Sequence, residues 1–421
     1  MKNQQINRNM NYFIKNIHIN KLFHLENFDI PIANEKYPHL IITGKNGSGK
    51  TVLLNAIATF FDNIKDDTSL SFLRANSIVE LWENQLRTKV AESDKAHARM
   101  MLKQSQERVE WLFGKVNVQF CDVGDVIEKY NRHGFIISFY QADRKVKLSE
   151  PNSPTKPKFQ YRNVRDTSTF QFLNFMSDLK IQEALARNEK QFDDADEINA
   201  WFVDFEKLLQ QIFQDDNLKL EFNYKDYSFK ICTEGKKFKF TQLSDGFAAA
   251  LDIVADLILK MQDDNSLTRF YQKAGIVLID EIETHLHLGL QKIIMPLLTK
   301  VFPNIQFIIT THSPFVLSSM PNAVAYDLEH KEILDDLTEY SYEALAEGYF
   351  GVKTEASYME MQLNTFKNLL EKEHLTDSEI IELKQLKSDF EKIPETVSPL
   401  VVGEFRRLLI QYTEKLKELS I

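Results

Sequence analysis

The feature that most constrains this chain is the octet Gly44-Lys45-Asn46-Gly47-Ser48-Gly49-Lys50-Thr51. It matches G-x-x-x-x-G-K-[ST] without a mismatch. It follows the apolar run Leu40 to Thr43 and opens a stretch, Lys50 to about Phe61, in which Leu53, Leu54 and Ile57 are spaced for burial on one helix face. A strand, a glycine loop and a helix in that order are the context in which such a loop holds phosphates. Glycines let backbone amides turn inward on an anion, and the helix N-terminus adds the positive end of its dipole. Lys50 is then placed to reach β- and γ-phosphates, and Thr51 to offer its hydroxyl to Mg²⁺. A glycine turn that binds nothing is the bland alternative, and the flanking strand and helix argue against it. The expected ligands are ATP and Mg²⁺.

Three further elements fit a sheet with its ligand at the strands' C-terminal edge. Ile276-Val277-Leu278-Ile279 is an apolar run ending in Asp280-Glu281. Asp280 is the candidate Mg²⁺ ligand, and Glu281 the candidate base that polarises an attacking water. Leu243-Ser244-Asp245-Gly246 opens a predicted helix to Met261, 36 residues before Asp280. Ser244 and Gly246 there read as a second phosphate-binding element, although a plain helix cap explains Ser244 equally well when taken alone. Thr310-Thr311-His312-Ser313-Pro314 ends another apolar run, and His312 lies 32 residues after Asp280. A lone histidine is usually structural; beside a phosphate site it can sense a γ-phosphate. His285 and His287 lack the acids or cysteines that would complete a metal site, which favours a structural or interface role.

In their order these elements resemble an ABC-type ATPase head: glycine loop, Ser-x-Gly signature, Asp-Glu strand, switch histidine. That resemblance implies that Gln141, after the predicted strand Phe135 to Tyr140, is a further Mg²⁺ ligand, with a plain loop glutamine as the alternative. The expected fold is α/β, a mixed sheet with flanking helices, helical insertions and a helical C-terminal region. The resemblance implies head-to-tail pairs of heads, in which Ser244, Asp245 and Gly246 of one copy close over ATP held by the other. The run Asp280-Glu281-Ile282-Glu283-Thr284-His285-Leu286-His287, continued by Ile308 to Pro314 and Phe315-Val316-Leu317, resembles the stand-alone AAA-like ATPases of the OLD and Septu group. OLD-type relatives carry a Toprim nuclease. Ala346-Glu347-Gly348-Tyr349 superficially resembles its opening, but too little chain follows and no Asp-x-Asp pair closes a strand. No H-N-H pattern occurs either. The chain therefore reads as an ATPase that is not itself a nuclease, similar to the PtuA ATPase subunits of Septu or retron-associated anti-phage systems. That resemblance implies a separate H-N-H nuclease partner and several ATPase copies. A RecF- or SMC-like clamp that binds DNA directly is the alternative. A transporter motor is disfavoured, because Lys50 and Ser244 lie 194 residues apart.

Composition bounds the partners. Net charge is −10, so the surface as a whole does not attract nucleic acid, and DNA contact needs a local basic patch. Residues 144–165 supply a candidate: Arg144, Lys145, Lys147, Lys156, Lys158, Arg162 and Arg165 against the single acid Glu150, with Phe159 and Tyr161 for stacking. The two cysteines, Cys121 and Cys232, make neither a disulfide framework nor a zinc set. With no membrane-length apolar run and no signal-peptide pattern, a cytoplasmic protein is expected.

The expected divisions are 1–73, the first part of the head; 74–115, a helical insertion; 116–240, the Gln141 strand, the basic loop and a helical and hairpin region; 241–339, the second part of the head; and 340–421, a helical C-terminal region. Within the insertion, Ile78, Leu81, Trp82, Leu86 and Val90 form one apolar stripe, suited to packing on the head or to a short projecting arm. In the C-terminal region, Leu363, Phe366, Leu369 and Leu370 lie at helical spacing, to pack on the head or to dock a partner.

Overall fold

The apolar runs meet in a six-stranded sheet. The computed structural model describes residues 12–32, 39–65, 67, 71–89, 91–120, 122–144, 148–151, 163–262, 273–334, 337, 340, 342, 344–346, 357–372, 374–393 and 399–419. Twelve strands are seen among them. These are β1 (Ile14–Leu22), β2 (Leu25–Pro31), β3 (His39–Thr43), β4 (Val116–Phe120), β5 (Phe135–Tyr140), β6 (Lys219–Asn223), β7 (Ser228–Thr233), β8 (Lys236–Lys239), β9 (Ala274–Ile279), β10 (Ile305–Thr310), β11 (Ala323–Asp327) and β12 (Glu332–Leu334). The large sheet runs β12-β11-β3-β10-β9-β5. It is parallel throughout except at β12. β3, β5 and β10 are buried along their whole length, which is why they read as unbroken apolar runs rather than alternating ones. β10 lies between the strand that ends in the glycine loop and the strand that ends in Asp280. That insertion brings His312 between them.

A second sheet, β2-β1-β4, is antiparallel. Helix α1 (Lys50–Ile64) buries Leu53, Leu54, Ile57, Phe60, Phe61 and Ile64, and these share one core with Ile17 and Ile19 of β1, Val116 and Val118 of β4 and Ile276 and Leu278 of β9. Gln306, the one polar residue of its run, is fully buried. Its amide accepts from the Ile14 N–H at 2.8 Å and donates to the Ile14 carbonyl at 3.0 Å. It pins the small sheet to the large one by satisfying both backbone groups of a residue at the start of β1.

Helices α2 (Ala75–Thr88) and α3 (Glu92–Phe113) form a pair joined at an extended Lys89. The apolar stripe of the insertion does not form a core: Ile78 is 36 % and Leu81 52 % exposed, and Ala75 is the buried residue of α2. Val90 lies outside the described residues. The insertion is anchored instead through α3, whose Val109 and Leu112 join the α1 core. A short helix, α4 (Val123–Asn131), precedes β5; Asp122 caps it by accepting from the Asp125 N–H at 3.0 Å. Helices α5 (Phe172–Asn188) and α6 (Phe192–Phe213) pack through Phe172, Phe175, Trp201 and Phe205. The expected two-stranded hairpin after them is a three-stranded sheet, β6-β7-β8; the third strand is short and lysine-rich and so lacks the apolar alternation that marks a strand.

Helices α7 (Asp245–Lys260) and α8 (Leu288–Val301) complete the site's surroundings. The chain divides into two compact units, one up to Tyr340 and one from Ser341. In the second unit, helices Ser357–Glu371, Asp377–Glu391, Pro399–Gln411 and Thr413–Glu418 share a core of Phe366, Leu369, Leu370, Leu383, Leu386, Phe390, Phe405, Leu408 and Leu416. This corrects the reading of Phe366, Leu369 and Leu370 as groups available to the head or a partner: they are buried against their own unit's helices, and Leu363 packs partly buried beside them.

Candidate functional site

The glycine loop joins β3 to α1 through three left-handed turns, at Gly44 (φ 131°), Gly47 (φ 85°) and Gly49 (φ 101°). Gly49 is the N-cap of α1 and offers no side-chain cap, so the first-turn amides are left for a ligand. Lys50 is 5 % exposed, and its ammonium donates to the carbonyls of Gly44 at 2.8 Å and Lys45 at 3.0 Å. Burial holds it below its ordinary value, while Glu281, Glu283, Asp280 and Asp327 pull the other way. Asn46 and Thr51 are exposed and Ser48 is half-buried. Lys45, a variable position of the motif, is fixed by an ion pair with Glu329 at 2.9 Å. Asp327, at the end of β11, shapes that neighbouring turn by accepting from the N–H groups of Glu329 at 2.8 Å and His330 at 3.3 Å.

Two strands away, Asp280 directly follows β9 and is buried. Its carboxylate accepts from the Thr310 hydroxyl at 2.6 Å, and the same hydroxyl accepts from the Glu281 N–H at 2.8 Å. Glu281 has φ 44°, a left-handed backbone that costs a non-glycine residue about 1–2 kcal/mol. Surrounding contacts must therefore over-determine it. His312 lies just beyond β10, with its ring held below its ordinary value by burial and by the charge of Lys50, against the pull of Glu281 and Asp280. Glu283 carries a role the sequence reading missed. Its carboxylate accepts from the His312 N–H at 2.5 Å and the Thr311 hydroxyl at 2.8 Å. It thereby sets where the histidine stands. Burial pushes Glu283 up, and those donors offset part of the rise.

Gln141 is exposed at the end of β5, beside β9. Thr51, Asp280 and Gln141 are all hard oxygen donors. No group of three His, Cys, Asp or Glu residues able to hold a metal occurs among the described residues.

Two arginines of the basic segment belong elsewhere. Arg144 donates to the carbonyls of Gln141 at 3.2 Å, Asp280 at 3.0 Å and Glu281 at 3.5 Å. Arg165 pairs with Asp62 of α1 at 2.9 Å and lies over the Phe139 ring. Both are committed inside the fold, so neither is a free cation for DNA. Lys145, Lys147, Lys156, Lys158, Phe159, Tyr161 and Arg162 lie outside the described residues.

Ser244 is the N-cap of α7 but makes no side-chain capping bond, and both Ser244 and Asp245 are exposed. A Cβ on Gly246 would stand 2.7 Å from the His285 carbonyl oxygen, so only glycine fits where α7 meets the segment after Glu281. His287 is the N-cap of α8 and accepts from the Leu290 N–H at 3.3 Å. Deeper in α7, buried Asp256 accepts from the Tyr140 hydroxyl at 2.8 Å, the Lys260 ammonium at 2.7 Å and the Ser168 N–H at 2.7 Å.

Residues 178–318 match the family described as "AAA domain, putative AbiEii toxin, Type IV TA system". The chain is 26 % identical over 326 residues to a "Septu protein PtuA" of Bacillus mycoides, covering 76 % of this chain and 41 % of that one. It is 49 % identical over 77 residues to the "Retron Ec83 probable ATPase" of Escherichia coli, 18 % of this chain and 14 % of that one. It is 35 % identical over 117 residues to the "Retron Vc95 probable ATPase" of Vibrio cholerae, 28 % and 21 % of the two chains. The chain thus spans less than half the length of these curated relatives. Among solved structures, an SMC head bound to the C-terminal winged-helix domain of ScpA aligns with TM-score 0.37 and 14 % identity, over 77 % of this chain and 95 % of that one. Stu0660 of Streptococcus thermophilus aligns with TM-score 0.32 and 13 % identity, over 93 % and 99 %. At these scores neither adds to what the strand order already establishes.

Proposed function

We propose that this chain binds and hydrolyses ATP as the regulatory ATPase of an anti-phage defence complex, and that it controls a separate H-N-H-type DNA nuclease. The observation that carries the ATPase reading is the meeting of Lys50, Asp280, Glu281 and His312 at the C-terminal edges of three adjacent parallel strands, β3, β10 and β9. In this reading the α1 amides and Lys50 hold the phosphates. Thr51 and Asp280, with Gln141, would hold Mg²⁺, which neutralises phosphate charge when bound. The Glu281 carboxylate takes the proton of the attacking water. The Glu283 contact fixes the backbone of His312, so that its ring can register the γ-phosphate.

The defence role is supported by similarity to the PtuA and retron ATPases. Exposure of Ser244 and Asp245 fits a signature element that completes the site of a second copy, arranged head to tail. The remaining lysines and arginine of residues 145–162 are proposed as the DNA-facing patch; replacing Lys156, Lys158 and Arg162 with Glu should weaken duplex binding and flatten its salt dependence.

The test is purification from the native operon with mass spectrometry, followed by ATP turnover and plasmid cleavage assays with Mg²⁺ or Mn²⁺. The proposal expects ATP turnover, an H-N-H protein in the complex, and cleavage by the complex and not by this chain alone. Robust cleavage by the isolated chain that survives Lys50→Ala would overturn the partner reading.

A further inference from the structure

Arg144 follows the Gln141 strand in a run of bases, where a solvated side chain is the default expectation. It is instead half-buried, and its Nε is enclosed without a partner.

The ladder between β5 and β9 stops at Tyr140 and Ile279, with one last bond from the Asp280 N–H to the Tyr140 carbonyl at 2.8 Å. Beyond it the chain turns away. The Glu281 carbonyl accepts from the Thr284 N–H at 2.9 Å in that turn, and the Asp280 carbonyl takes its donor from Arg144. Buried carbonyls need donors. Arg144 reaches Asp280 at 3.0 Å, stands at a longer 3.5 Å from the Glu281 carbonyl, and closes back on Gln141 at 3.2 Å. The left-handed Glu281 thus has its N–H held by the Thr310 hydroxyl and its carbonyl by the Thr284 N–H, with Arg144 bracing the Asp280 peptide just before it. Burial holds the guanidinium below its ordinary value, against the pull of Asp252, Asp280, Glu283 and Glu281.

We infer that Arg144 is a positioning residue of this site: one guanidinium holds the Gln141 turn and the backbone of Asp280 and Glu281 in a single arrangement, and so aims the Glu281 carboxylate. The inference rests on Glu281 being the residue that activates water. Arg144 touches no reacting atom; it acts through Glu281 and Gln141. A lysine cannot replace it, because a compact ammonium lacks the fork of donors that spans carbonyls from two chain segments.

The experiment compares wild type, Arg144→Ala and Arg144→Lys. It measures equilibrium ATP affinity, KM, kcat, and hydrogen–deuterium exchange without nucleotide. With the glycine loop untouched, both variants keep the ATP affinity of wild type when it is measured without Mg²⁺. Misplacement of a reacting group by about 1 Å can cost on the order of 10²-fold in rate, so kcat for Arg144→Ala should fall by that factor, and Arg144→Lys should stay impaired. Exchange should quicken at 278–287 and 139–144 and stay unchanged at 44–54. Unchanged kcat, loss of the Mg²⁺-free ATP affinity in step with kcat, or full rescue by lysine each overturns the inference. If the wild-type protein turns over no ATP, the hydrolysis reading fails separately, and exchange still decides: protection at 278–287 equal to wild type in Arg144→Ala rules out the positioning role.

Discussion

Lys50→Ala isolates the most local piece of the chemistry. In the structure the ammonium donates to two loop carbonyls, at 2.8 and 3.0 Å. Binding ATP exchanges these for two charge-assisted bonds to phosphate oxygens. Bonds to charged phosphate contribute about 1.5–3 kcal/mol each, and the bonds to uncharged carbonyls given up about 1 kcal/mol each. The net loss in the variant is then about 1–4 kcal/mol, or roughly 5- to 1,000-fold in affinity. Lys45 does not compensate, being held by Glu329. Titration with a fluorescent ATP analogue measures the loss. Lys50→Met, which keeps most of the buried stem, is the companion variant. Its melting temperature without nucleotide should be no lower than that of wild type, because burial already disfavours the charged amine. An affinity within about threefold of wild type, less than 1 kcal/mol, in a variant that melts normally would refute the placement of Lys50 at the phosphates.

Glu281→Gln should keep ATP and Mg²⁺ binding, lose about 10²–10⁴-fold in hydrolysis, and accumulate as the head-to-tail dimer on size exclusion with ATP; normal turnover would assign water activation to another group. Asp252 gives a pH signature. Burial raises it to about 6, so the folded state holds its proton more tightly than the unfolded chain, and stability is lost as pH rises between about 4 and 6. Asp252→Asn escapes that loss, and urea melts should show its advantage over wild type growing by about 1–2 kcal/mol from pH 5 to pH 7.5, whereas a constant difference would contradict the buried charge. Phe366→Ala empties the centre of the C-terminal unit, where its ring meets those of Phe405 at 5.3 Å and Phe390 at 6.2 Å. The expected cost is about 3–5 kcal/mol, read as faster hydrogen exchange across 357–419, and protection equal to wild type would refute the separate core.

Chemistry carried by neighbouring residues was legible along the chain. The octet needs neighbouring residues only: glycines for the left-handed turns, a lysine and a threonine at the start of a helix. The strands β5 and β10 begin and end where their mainly apolar runs do, because a parallel strand buried on both faces lacks the regular polar alternation that would blur its limits. The α/β class and the sequence of motifs along the chain followed from these alone. Helical spacing marked Leu363, Phe366, Leu369 and Leu370 as one face, but spacing says nothing about which surface covers that face. The answer, their own unit's helices, needed the tertiary structure.

The tertiary structure also decided which distant side chains complete the site. Arg144 sits in a basic run by sequence, yet its carbonyl partners at Asp280 and Glu281 lie 136 and 137 residues away. Lys45 meets Glu329 across 284 residues, and Gln306 meets Ile14 across 292. Glu283 looks like one more acid after Asp280-Glu281, until β10 enters between β3 and β9 and brings the backbone of His312 onto its carboxylate. The physical reason is the same in each case. A motif records what a residue can do, but its partner is set by strand order and register, which place chain segments side by side whatever their separation in sequence. Desolvation follows from that placement: burial against a buried sheet is what lowers Lys50 and raises Glu283 and Asp252, and no pattern of residues along the chain carries it.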